Sequence, residues 1–142
     1  PLFPNDKPTD SNIRKFETLG TRSFAPEQAI GQAIDFHNGI GSKRKEERLR
    51  YLKNYWCDKV ARNPRIKLHV SMKPEYACAL GTFSVDGIDP GDVTARLFNE
   101  HQIHTTSIKW ENISCVRVTP HVYTSTKDLD RFVDAVWKIA TS

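Results

Sequence analysis

Apolar residues recur at helical spacing in the first part of the chain. Between Ile30 and Ile40 they predict a helix that begins near Ser23 and carries Pro26 in its first turn, where proline is tolerated. A second helix is predicted from about Lys43 to Arg62, ending before the next proline. Its apolar stripe indicates a core-facing helix and consists of four residues: Leu49, Leu52, Trp56 and Val60.

After residue 65 the apolar spacing falls to two, which is typical of half-buried strands. Four strands are predicted, at Ile66–Val70, Cys78–Val85, Ile103–Thr106 and Ile113–Thr119. A helix that starts at Asp89 or Pro90 separates the second strand from the third. A last helix follows the capping pattern Ser125-x-x-Asp128. Two helices, a small sheet with one inserted helix and a closing helix predict an α+β domain.

Composition narrows the class of protein. With 142 residues and 38% apolar content the chain predicts one globular domain, without a bilayer-spanning run or a signal peptide, and so no membrane partner. The net charge is +4. Much of the positive charge lies in residues 43–50, interrupted by acids, which indicates a solvated helix face and no nucleic-acid partner. The odd set of Cys57, Cys78 and Cys115 predicts a reducing cytoplasm, with no disulfide framework and no metal site.

The last predicted strand carries a single arginine among valines. Alternation places Val116 and Val118 on one face and Arg117 on the other, with Cys115 and Thr119. A guanidinium on a half-buried strand needs an anionic partner, and its planar fork suits a carboxylate. The partner is either a substrate acid or an acidic side chain elsewhere in the fold. On the strand alone, the structural ion pair is the more common arrangement.

The sequence contains no complete active site. It has no glycine-rich phosphate loop, no nucleophile elbow and no close pair of acids with a base. Asp128 and Asp130 are explained by the start of the last helix, where negative charge is favoured. The polar residues that remain are those of Glu17–Arg22 and Arg117. They indicate half of a site.

Two segments carry a resemblance to a known family. Residues Ile113 to Asp130 resemble the closing signature of class V aminotransferase-like enzymes, which are pyridoxal-phosphate proteins of the aspartate-aminotransferase-like fold. The Pro-His-Val-Tyr variant is most similar to the isopenicillin N epimerase-like branch, which includes cysteine-desulfurase-like and selenocysteine-lyase-like members. Residues Lys15 to Arg22 resemble the Glu-x-x-Gly-Thr segment of that family. The resemblance extends from about Ile13 to Ala140.

The resemblance implies that the chain is the C-terminal small domain of a longer enzyme. Residues 1–15 are then an extended lead-in and residues 16–142 the domain, with a small, mostly antiparallel sheet packed by helices. The family's Schiff-base lysine belongs to a large cofactor domain upstream of the Glu-x-x-Gly-Thr segment. We therefore expect no catalytic residue in this chain, no activity of the chain alone and no covalently bound pyridoxal phosphate.

The resemblance also implies residue roles. Gly20 and Thr21 would contact the cofactor phosphate of the neighbouring subunit in a homodimer, because backbone N–H groups and a hydroxyl donate to phosphate oxygens. The alternative for these two residues is a turn that leads into the first helix. Arg117 would grip the α-carboxylate of an amino-acid substrate. His121 and Tyr123 are interpreted first as packing and turn residues, and Thr124 replaces an asparagine common in the family.

The implied function is that of an aminotransferase, an epimerase or a C–S lyase acting on an amino acid or a derivative. A cysteine desulfurase or selenocysteine lyase is an alternative, which would need a reactive cysteine in the loop before the closing strand. Residues 105–112 contain none, although Cys115 lies on the Arg117 side of the strand. A free-standing α+β regulatory or protein-binding module, with Arg117 in a structural ion pair, is the other alternative.

Overall fold

The computed structural model of the chain describes Ser11 and residues 23–142. The chain forms two compact units, residues 1–40 and 41–142. The first contains helix α1 (Ala25–Ile40), with Pro26 in its first turn as predicted. The predicted boundary after residue 15, and the predicted cofactor contacts Gly20 and Thr21, lie outside the described residues.

The second unit is described throughout and consists of three helices and one sheet. Its elements in chain order are α2 (Ser42–Val60), β1 (Ile66–Leu68), β2 (Gly81–Val85), α3 (Pro90–His101), β3 (Thr106–Trp110), β4 (Ile113–Val118) and α4 (Thr126–Thr141). The strands lie in the order β1-β2-β4-β3, and each neighbouring pair is antiparallel. This architecture confirms the predicted α+β class. No helix in the described part of the chain is long and apolar enough to cross a membrane.

The predicted strand Ile103–Thr106 is wrong, since the strand begins only at Thr106. Gln102 closes α3 in the left-handed conformation with φ 57°, and the Ile103 N–H still donates to the carbonyl of Leu97 at 3.0 Å. Ile103 is therefore an apolar residue of the helix end. β1 and β2 are also shorter than predicted, at Ile66–Leu68 and Gly81–Val85.

One face of the sheet packs against α2, α3 and α4 to form the core. Three aromatic rings meet at its centre, where Trp56 lies 6.1 Å from Phe83 and 5.5 Å from Phe132 between ring centroids. Of the predicted α2 stripe, Leu52, Trp56 and Val60 are fully buried, and Leu49 is partly buried. The helices thus cover this face of the sheet, and Arg117 of β4 lies on the other face.

The start of α4 is fixed by the predicted cap. The Ser125 hydroxyl accepts from the Asp128 N–H at 3.1 Å, and the Asp128 carboxylate accepts from the Ser125 N–H at 3.1 Å. The helix-start interpretation is wrong for Asp130. Its carboxylate accepts from the Tyr55 hydroxyl at 2.9 Å and pairs with the Lys59 ammonium, so it joins α4 to α2.

Candidate functional site

Arg117 lies on the sheet face away from the helices, which we call the open face. It stands opposite Thr82 of β2 and Thr106 of β3. Its neighbours Val116 and Val118 are 0% and 8% exposed and point into the core, whereas Arg117 is exposed. The predicted division of β4 between its two faces is confirmed. Two threonines therefore flank the arginine on the same face.

The Arg117 guanidinium has no hydrogen-bond or ion-pair partner among the residues that the structure describes. The structural ion pair considered from the sequence is thus not found in this part of the chain. A planar, permanently charged donor fork beside threonine side chains suits a carboxylate ligand. The geometry leaves Arg117 available for such a ligand.

The open face continues from Arg117 through Thr82 to His69. The His69 N–H donates to the Thr82 carbonyl at 2.9 Å, and the Thr82 hydroxyl donates to the His69 carbonyl at 3.0 Å. His69 Nε2 lies 2.7 Å from the Ser84 hydroxyl. Burial and the nearby Lys67 ammonium lower the pKa of His69, so that the neutral imidazole predominates at neutral pH. The sequence interpretation missed this histidine.

The hairpin of β3 and β4 gives the open face an apolar end. Ile108 stands opposite Cys115, and Trp110 stands opposite Ile113 at the tip. Trp110 and Ile113 are 68% and 50% exposed, but Cys115 is only 2% exposed between its neighbours. Burial raises the pKa of the Cys115 thiol, which disfavours the reactive thiolate. Cys115 is on the Arg117 face, as predicted, but it is not poised as a nucleophile.

The turn after β4 is held from the helix side of the sheet. Arg48 of α2 donates to the carbonyl of Thr124 at 3.0 Å and to that of Val122 at 3.5 Å. The Thr124 hydroxyl accepts from the His121 N–H at 2.9 Å, and this contact closes the turn. The rings of His121 and Tyr123 lie 4.4 Å apart, and Tyr123 is 82% exposed. The predicted turn is confirmed, and Tyr123 packs against the His121 ring at the protein surface.

No protein-family model matches the chain. The chain is 24% identical over 129 residues to the isopenicillin N epimerase of Amycolatopsis lactamdurans, a match that covers 90% of this chain and 32% of that protein. An enzyme of the same name from Streptomyces clavuligerus is also 24% identical, over 125 residues. The chain thus spans about a third of the relatives that it matches.

Solved structures share the fold. The cysteine desulfurase of Thermococcus onnurineus NA1 superposes with a TM-score of 0.75 at 20% identity, over 86% of this chain and 32% of that one. The cystine C–S lyase C-DES superposes with a TM-score of 0.70 at 15% identity, over 84% of this chain and 30% of that one. A C-DES variant has glycine covalently linked to its pyridoxal-phosphate cofactor. The fold is therefore that of the corresponding third of such enzymes, and the recognised resemblance is confirmed.

Proposed function

We propose that this chain, which has the fold of the C-terminal part of class V aminotransferase-like enzymes, holds the substrate in a pyridoxal-phosphate enzyme acting on an amino acid or a derivative. The observation that carries the proposal is Arg117, exposed on the open face and unpaired among the described residues. The sequence similarity to epimerases supports the same class of enzyme. The enzyme would be an aminotransferase, an epimerase or a C–S lyase.

Arg117 would bind the substrate carboxylate through two parallel N–H donors. The strand fixes the arginine backbone between β2 and β3, so the carboxylate would be oriented relative to the sheet. Orienting a substrate in this way can account for a large part of a rate enhancement. The hydroxyl of Thr106, which stands opposite Arg117 on the open face, would be a further hydrogen-bond donor to the carboxylate.

Pyridoxal phosphate, when bound, supplies an electron-withdrawing ring that stabilises negative charge at the substrate's Cα. The described residues fit the substrate side of such a site, because the open face offers a guanidinium and hydroxyls suited to an acid. Gly20 and Thr21 would contact the cofactor phosphate in the partner subunit of a homodimer. Both residues lie outside the described residues, so this assignment rests on the sequence resemblance.

A cysteine desulfurase or selenocysteine lyase is less well supported. Residues 105–112, which precede the closing strand, are mostly strand β3 and a tight turn to β4 and contain no cysteine. All three cysteines of the chain lie elsewhere. Cys115 is buried in β4, which disfavours it as a nucleophile.

The proposal is tested on the protein encoded by the complete reading frame that contains this chain. Bound pyridoxal phosphate is identified by its visible absorption and by borohydride fixation to one lysine. Exchange of the substrate's Cα hydrogen for deuterium is then followed by mass spectrometry over a panel of amino acids. Arg117→Ala should lower kcat/KM by an amount that corresponds to about 2–4 kcal/mol of lost transition-state stabilisation, because a charge-assisted bidentate contact is lost. The cofactor should be retained.

Arg117→Lys should recover only part of the activity, since an ammonium cannot reproduce the planar fork. Arg96→Ala is the matched control, because Arg96 lies on α3 and pairs with Glu100. Unchanged kcat/KM in a folded Arg117→Ala enzyme would refute the substrate role. Absence of both cofactor and exchange would favour a free-standing interaction module.

A further inference from the structure

We propose that the open face carries a second anion-binding position, formed by Lys67, His69 and Ser84. It would bind an acidic group at the end of the substrate remote from Arg117. The inference rests on the proposed function, because it assigns the first carboxylate to Arg117. The class of substrate is then an amino acid or derivative that bears a second acidic group.

The three residues share a face by strand register. Lys67 stands opposite Ser84, while the alternating residue Leu68 stands opposite the buried Phe83. His69 follows on the side of Lys67, since its backbone pairs with Thr82, which stands opposite Arg117. The second position therefore lies on the same face as Arg117, with only β2 between them.

The imidazole is held in place for such a contact. Its Nε2 is engaged by the Ser84 hydroxyl at 2.7 Å, whereas its Nδ1 has no partner among the described residues. One ring nitrogen thus fixes the orientation, and the other is left for a ligand. The Lys67 ammonium is close enough to disfavour the charged imidazole. An anion bound between these two groups would remove that repulsion.

The positive charge of the open face is not neutralised by the sheet itself. The four strands contain no aspartate or glutamate. Neither Lys67 nor Arg117 has an ion-pair partner in the described part of the chain. By contrast, Lys109 of β3 pairs with Asp89 at the start of α3. Two separate unpaired cations on one face match a ligand with two acidic groups.

The register also sets the spacing of those groups. Neighbouring strands lie about 4.8 Å apart, so β1 and β4, on either side of β2, are separated by roughly 10 Å. The long side chains of lysine and arginine can shorten this gap. A short diacid should therefore bind less well than one whose acidic groups are farther apart.

The test compares linear dicarboxylates from succinate to suberate with the half methyl ester of each, which removes only the second charge. Binding is followed by NMR through the Arg117 Nε–H and His69 ring signals. The longer diacids should bind at least tenfold more tightly than their half esters and shift both signals. They should also raise the pKa of His69. The double variant Lys67→Gln/His69→Gln should lose the diacid advantage and retain half-ester binding, whereas the loop control Lys73→Gln should keep both.

The outcomes separate the two proposals. Equal affinity for diacids and half esters, with binding still dependent on Arg117, overturns the second position and leaves the proposed function standing. Binding that does not depend on Arg117 overturns the role proposed for Arg117. If inorganic phosphate shifts the His69 signal as strongly as the diacids do, the position is a general anion site and the inferred substrate class is wrong.

Discussion

Gly81 lies directly against the indole of Trp56. A Cβ built on Gly81 would lie 2.2 Å from Trp56 Cζ2 and 2.9 Å from Cη2. Gly81 begins β2, and the next residue, Thr82, stands opposite Arg117. The close contact therefore sets how near the sheet approaches α2, immediately beside the candidate site.

Gly81→Ala should destabilise the protein by about 1–3 kcal/mol, because the fully buried indole has no room to move away. Urea denaturation measures the change. The double variant Gly81→Ala/Trp56→Phe should be less destabilised than the sum of its single changes, since the smaller ring relieves the overlap. Gly31→Ala, where a Cβ meets no atom within 4 Å, is the control. A stable Gly81→Ala protein with an unshifted indole fluorescence would contradict this packing.

The contact between α2 and α4 predicts a pH dependence of stability. Hydrogen bonds from Lys59 and Tyr55 hold the pKa of the Asp130 carboxyl below its usual range. A lowered folded-state pKa contributes stability above the unfolded value of about 3.9, and this is lost as pH falls through the folded value. Asp130→Asn should therefore be less stable than the unchanged protein at neutral pH, and the difference should shrink below about pH 4.

The pKa of Lys59 shifts in the opposite direction. The same contact with Asp130 raises the pKa of Lys59, so its contribution is present below the unfolded value of about 10.4 and is lost at higher pH. Denaturation curves over the full pH range measure both effects. Asp58→Asn, an exposed change on α2, serves as the control. A stability difference for Asp130→Asn that persists unchanged at acid pH would rule out the ion pair as its cause.

The three thiols should react at different rates. Burial raises the pKa of Cys57 to about 12 and also raises the pKa of Cys115, whereas Cys78 is partly exposed in a loop. Because the thiolate is the reactive form, a disulfide reagent should label Cys78 first and the other two only on unfolding. Cys78→Ser should remove the fast phase. Rapid labelling of Cys115 in that variant would reopen the desulfurase alternative.

Thr21 remains a prediction from the resemblance. In the complete enzyme, Thr21→Ala should weaken cofactor retention by roughly 1–2 kcal/mol, the value of one hydrogen bond to a charged group. Cofactor titration measures the loss. The melting temperature of the 142-residue chain should barely change, whereas loss of a helix cap would cost about 1 kcal/mol there as well.

Mixed dimers test whether Thr21 acts across the subunit interface. A Thr21→Ala subunit is paired with a subunit that lacks the Schiff-base lysine. The lysine-bearing site then receives an intact threonine from its partner and should load normally with cofactor. Failure to load at that site would refute the cross-subunit assignment.

The sequence alone determined the class of fold, the faces of β4 and the start of α4. These features depend on local periodicity and on a cap whose partners, Ser125 and Asp128, are three residues apart. Periodicity failed at Thr106–Trp110, where four of the five strand residues are exposed and no buried alternation exists to detect.

The site depends on contacts that no local pattern encodes. His69 meets Ser84 only because β1 pairs with β2. Arg117 has no partner among the described residues because the strands around it contain no acid. Strand pairing and close packing, such as that of Gly81 against Trp56, join residues distant in the chain, so only the tertiary structure could decide them.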